Sequence, residues 1–301
     1  MNVINFKHSI IFFNLCILIS PFYLMLSYEP IILCLFTILM IGVSHGSLDN
    51  IKGEKLLKSF GYKSMSLFYF IYLIISILII VLWLILPNTI LLLFLIVAAY
   101  HFGKEDTVFS FKRKFFISEI LFFFKGSSVI IAPLLFQRDS TNAIFKTLNF
   151  YVFESSFFND QFLIFFLILG FLSSVYISNN KSIDLKTIMI IDFLSLIILN
   201  FFLTPVLAFT LYFCFLHSIR HSITLIFELD RLFKAGFKKF LSKAIPLTFV
   251  TGIIFLIAIY FLNNFYRLDE AIYKVIFIGL ASLTFPHILL EYLLEKNEKK
   301  T

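Results

Sequence analysis

The chain has 301 residues, 60% of them hydrophobic and only 14% charged, and a formal charge of +7. A water-soluble domain of this length needs far more polar surface to cover itself, so the composition excludes one and points to a polytopic membrane protein. The basic excess calls for no nucleic acid; topology and attraction to anionic membrane lipid account for it.

Apolar stretches able to cross a bilayer core of about 30 Å as helices occur ten times, at 9–28, 30–49, 66–86, 88–103, 115–136, 160–178, 187–203, 205–228, 244–263 and 271–293. The expected fold is all-α, a transmembrane helix bundle of eight to ten spans, ten by this reading, with residues 1–301 forming a single integral-membrane domain. Pro30 and Pro205 fall in first turns, and Pro87 in the turn before a span, which suits tight helical hairpins. The first run has no small-residue cleavage site followed by a polar mature domain, so it reads as a span and not a removed signal. The 43 phenylalanines fit an AT-rich genome and carry little functional weight. Cys16, Cys34 and Cys214 lie in apolar runs without paired spacing, which argues against a disulfide framework or a zinc knuckle.

Lysine and arginine collect on the cytoplasmic side of short loops. With the N-terminus inside, inner segments hold nineteen of these residues and outer segments three, Arg138, Lys146 and Arg267, while Lys125, Arg220 and Lys274 fall within spans. Both termini are therefore expected in the cytoplasm, and the chain in the cell (inner) membrane.

Five of the six histidines sit in or near the ends of these runs, where a polar ring is expensive to bury. His217 and His221, in LYFCFLHSIRHS, are four apart and share one helix face, so both imidazoles can reach one metal ion. His45, His101 and His287 join them at 12 to 16 residues from the outer end of their spans, one layer of the cytoplasmic half. A shared depth is what a common ligand requires. The plainer readings are interhelical hydrogen bonds for the pair, water at the helix ends for His45 and His101, and, for His287, the carbonyl that Pro286 frees. Gly46 and Gly103, just after His45 and His101, permit close backbone approach to a helix or a ligand. Asp49 and Asp106 suit partners that fix a ring N–H, and Arg220 suits offsetting those carboxylates or anchoring to headgroups. His8 reads as a solvated residue of the tail, and Lys125 as a snorkelling lysine.

The segments His45-Gly46-Ser47-Leu48-Asp49, His101-Phe102-Gly103-Lys104-Glu105-Asp106 and His217-Ser218-Ile219-Arg220-His221, in that order and with Pro286-His287 following, resemble the Brp/Blh family of integral-membrane β-carotene 15,15′-dioxygenases over roughly residues 40 to 290. One departure is Leu216, where the family often has an aromatic residue. The resemblance implies a non-haem iron protein whose Fe(2+) is held by His45, His101, His217 and His221, and which uses O2 to split β-carotene at its central double bond into two retinals. Four neutral imidazoles leave a divalent ion up to two open octahedral positions, as O2 chemistry needs, although imidazole also suits copper and zinc. Phe102, Phe213, Phe215 and Phe285 are candidates to line a polyene tunnel, and a retinal-binding rhodopsin is a candidate acceptor of the product. The competing classes are a haem protein, which needs histidine pairs on two helices, and a transporter with a histidine proton relay, which needs dispersed depths.

Overall fold

The computed structural model describes residues 2–23, 30–62, 64–109 and 115–298, and the side chains of Asn2, His45, Phe115 and Glu298 lie outside the described residues. Among the described residues the chain is helical with no strand, and ten helices are long and apolar enough to cross a membrane. Lipid offers backbone groups no partner, and a helix satisfies them within one segment.

In order, α1 is Asn2–Tyr23, and α2, Ile31–Thr37, runs through a π-helical stretch, Ile38–Gly42, and a 3-10 stretch, Val43–Leu48, into α3, Asp49–Ser59. Then come α4 (Met65–Ile85), α5 (Pro87–Glu105), α6 (Phe115–Phe136), the short α7 (Arg138–Thr147), α8 (Asp160–Ser178) and α9 (Ile183–Phe202). The next span is α10, Pro205–Leu211, a π-helical Tyr212–Ser218 and α11, Ile219–Leu229, followed by α12 (Phe233–Leu262) and α13 (Leu268–Glu298).

Several boundaries differ from expectation. Helix α1 begins at Asn2, so His8 lies inside it, and the expected end of that span falls among residues 24–29, outside the described residues. Pro87 is the first residue of α5 rather than part of the turn before it, Pro205 opens α10 as expected, and Pro30 is the N-cap of α2. Helix α12 starts eleven residues before the apolar run because FKAGFKKFLSK is amphipathic: Gly236 and Phe240 are buried while Lys234, Lys238, Lys239 and Lys243 are exposed. At 30 residues α12 is about 45 Å long, well beyond a bilayer core. Lys63, Lys112, Arg113, Lys114, Lys299 and Lys300, part of the charge asymmetry, lie outside the described residues.

The chain forms two compact units, Met1–Gly42 with Leu95–Thr224, and Val43–Phe94 with Leu225–Thr301. In the first, α6 packs on α8, α1 on α9, and the two π-helical stretches on each other. There α5 and α6 meet backbone to backbone: a Cβ on Gly103 would land on the Phe122 carbonyl, and one on Gly126 on the Ala99 carbonyl. The approach that Gly103 permits is thus to a helix. In the second unit α4 packs on α13 and α3, and Leu48, Leu225, Ile226, Phe240 and Ala244 form a core cluster.

Candidate metal centre

The first unit assembles its histidines where α5 ends. His101 and Glu105 are one turn apart on α5, and Asp106 follows in the turn that stops the helix, its N–H donating to Phe102 O at 3.0 Å. Helix ends leave carbonyls without helical partners. Here Thr107 Oγ1 donates to Gly103 O at 2.8 Å, and Lys125 Nζ donates to the same carbonyl at 3.2 Å and to Thr107 Oγ1 at 3.1 Å. Lys125 therefore does not snorkel; its ammonium turns inward onto this turn.

Opposite it runs the Tyr212–Ser218 segment. It is π-helical and packs closely at Gly42, where a Cβ would strike the Phe213 ring, with Ser218 Oγ donating to Gly42 O at 3.3 Å. Such wide turns recur at functional sites. His217, 1% exposed, places Nδ1 2.9 Å from Asp106 Oδ1, and His221 places Nδ1 3.1 Å from Glu105 Oε2. Tyr212 donates its hydroxyl to Asp106 Oδ2. Burial alone would push the Asp106 carboxyl up, but His217, then Lys125 and Arg220, outweigh it and hold it well below the usual carboxylate range. A carboxylate oxygen accepts, so Nδ1 of each histidine donates to it, and in the neutral ring that tautomer leaves the lone pair on Nε2.

That is the donor chemistry of a first-row metal site, in which a ligating imidazole gives its other N–H to a carboxylate. His101 supplies a third ring, edge-on to His217 with centroids 5.4 Å apart. Nitrogens about 2 Å from one ion put ring centres roughly 3 Å from it and no more than about 6 Å from each other. Phe213 stacks on His217 at 5.8 Å and Phe102 meets its ring edge-on at 4.9 Å. His45 belongs to the 3-10 stretch three residues beyond Gly42, and its side chain lies outside the described residues.

In the second unit His287 places Nδ1 2.8 Å from Asp49 Oδ1, and the Tyr72 hydroxyl donates to Asp49 Oδ2 at 3.0 Å and to Leu283 O at 3.2 Å. His287 thus takes a carboxylate and not the carbonyl of its plainer reading beside Pro286. Glu291 sits one turn on, 3.7 Å from His287 Nε2, and takes Lys52 at 2.7 Å.

Two further residues depart at least in part from their sequence reading. Arg220 does not reach headgroups: it is buried, forming a bidentate pair with Asp192 at 2.7 and 3.0 Å and donating to Ser9 Oγ at 2.8 Å, while its charge also helps hold the Asp106 carboxyl down, as expected of it. His8 is not a solvated tail residue, since its Nε2–H donates to Phe215 O at 2.8 Å. Sequence reasoning did not assign Glu105, Tyr72, Tyr212, Asp192 or Glu291. Glu105 alone had a signal, its place one helical turn after His101.

Fold and site together define a multi-pass helical membrane protein whose buried histidines are held by carboxylates. The chain belongs to the beta-carotene 15,15′-dioxygenase family, whose sequence profile matches residues 36–295. It is similar to the beta-carotene 15,15′-dioxygenase of an uncultured marine bacterium, 66A03, at 28% identity over 255 residues, 84% of this chain and 90% of that protein. No solved structure matches it.

Proposed function

We propose that this protein is a non-haem iron oxygenase that cleaves the central 15,15′ double bond of β-carotene with O2 to give two molecules of all-trans-retinal, one oxygen atom ending in each aldehyde. The observation that carries the reading is the pair of adjacent carboxylates, Asp106 and Glu105, each facing the Nδ1 of one histidine of the His217–His221 pair. Family membership supports carotene cleavage as the reaction.

His101, His217 and His221 would hold Fe(2+), with His45 added by the family motif. When bound, the metal would supply the open coordination positions and the electron density that make O2 reactive toward a polyene. The protein's own part is orientation and exclusion. Asp106 and Glu105 accept from Nδ1 and so turn Nε2 of each ring toward the metal, Tyr212 holds Asp106 in place, and Phe102 and Phe213 cover the His217 ring against water. No general acid or nucleophile is required. A lipid-dissolved substrate suits a chain whose helices are built for lipid. The lysine and arginine asymmetry supports a cell-membrane location with both termini cytoplasmic.

Expression in a carotene-producing bacterial host tests the reading. Loss of orange colour with retinal appearing in extracts is expected, and His217→Ala or His221→Ala should abolish both retinal production and iron in the purified protein. Undiminished carotene beside well-inserted wild-type protein would overturn the reaction, and a Soret band in the visible spectrum would replace iron–imidazole with haem.

A further inference from the structure

Glu105 and Asp106 stand where a helix least favours them. The C-terminal end of a helix carries partial negative charge from its last carbonyls, so carboxylates there are destabilised. Here two consecutive carboxylates close α5, and both are needed where they are because each orients one histidine. Something must hold the turn and neutralise it. The structure offers one residue from a neighbouring helix for both tasks: Lys125 of α6 donates to Gly103 O and to Thr107 Oγ1, the residues flanking the 104–106 stretch. It reaches them because Gly103 and Gly126 bring the two backbones into contact. Thr107 closes the arrangement by donating to Gly103 O.

We propose that Lys125 is a positioning residue for the metal centre: its ammonium clamps the last turn of α5 and so sets Glu105 and Asp106, and through them His221 and His217. This rests on the reading above that those imidazoles hold a metal. The role is electrostatic as well as steric. Beside Lys125 lies a cavity of about 30 Å³ lined also by Asp106, Asp192, Tyr212, Ser128 and Leu216. That is about the space of one water molecule, enough for the extra width of a guanidinium over an ammonium, so an arginine at this position can keep the charge and reach the same acceptors, whereas a methionine keeps the bulk alone.

The experiment compares purified full-length wild type with Lys125→Met, Lys125→Arg and Thr107→Val. Apo-protein is titrated with Co(II), read by its visible absorption, and hydrogen exchange of the peptide over residues 100–109 is followed without metal. Loss of a group behind a metal ligand typically weakens affinity about 10- to 100-fold. Lys125→Met is expected to weaken Co(II) binding in that range and speed exchange at 103–107. Lys125→Arg should stay within about threefold of wild type, and Thr107→Val, which leaves the Gly103 contact, should weaken binding about three- to tenfold. In cells making carotene, kcat should fall with iron content while KM changes little.

Wild-type affinity in Lys125→Met overturns the proposal. So does equal loss in Lys125→Met and Lys125→Arg, because charge would then not matter. If Lys125→Met does not accumulate, Thr107→Val decides, and its binding Co(II) like wild type overturns the proposal. If wild type itself takes up no Co(II), the metal reading fails, while unchanged exchange at 103–107 in the Met variant would still sink the clamp on its own.

Discussion

Asp106 accepts from His217 Nδ1 at 2.9 Å while taking a second hydrogen bond from the Tyr212 hydroxyl, so one buried carboxylate fixes both the tautomer and the angle of one imidazole. Its chain neighbour Glu105 faces His221 in the same way. Asp106→Ala removes the acceptor and is expected to cut metal affinity about 10- to 100-fold. Asp106→Asn retains a carbonyl acceptor and should lose less. Metal content of purified protein, with total retinal formed per cell, ranks the three; an alanine variant as metal-rich as wild type would show that Asp106 does not act on the site.

His8→Ala removes the donor to Phe215 O, a carbonyl within the π-helical turn. A net cost of about 1 kcal/mol is expected, seen as a lower unfolding midpoint in detergent. No change in the midpoint would mean that the contact contributes nothing.

Arg220→Met leaves Asp192 a buried, unpaired carboxylate, which typically costs about 3–5 kcal/mol. Arg220→Met combined with Asp192→Leu removes both charges and should recover most of that stability. Accumulation in membranes and thermal unfolding both report it. A double variant less stable than Arg220→Met would refute the pairing as the source of the loss.

Gly103→Ala and Gly252→Ala are expected to diverge. The first puts a methyl onto the Phe122 carbonyl and forces α5 from α6, an overpacking cost of about 1–3 kcal/mol or more. The second meets nothing within 4 Å on α12, so it should be neutral or stabilise by up to about 1 kcal/mol through helix propensity. Matching unfolding midpoints for the two variants would count against the contact described.

The fold was legible because lipid enforces a simple code: apolar length alone marks a helix, and among the described residues all ten runs fall on helices long and apolar enough to cross a membrane. Ends were less legible. Residues 233–243 carry four lysines, which interrupt an apolar run but not a helix, so hydropathy placed the start of α12 too late. In the first unit His217, His221, His101 and Asp106, and in the second Asp49, stood out because polar groups are rare in such surroundings. Their pairing did not. Asp106 with His217 and Asp49 with His287 join residues 111 and 238 positions apart, and no local pattern encodes which carboxylate meets which ring. Lys125 was misjudged for a related reason: position along a span does not say whether a neighbour offers acceptors. Nor does an all-apolar segment such as Tyr212–Phe215 distinguish α from π winding, because either hides it from water.

The wide turn at Tyr212–Ser218 makes this stretch intolerant of a change in length. Deleting one residue between 212 and 216 would let ordinary winding resume, and each residue of an α-helix advances about 100°. Everything downstream would swing by nearly a third of a circle, carrying His221 away from Glu105 and Arg220 away from Asp192 in a single step.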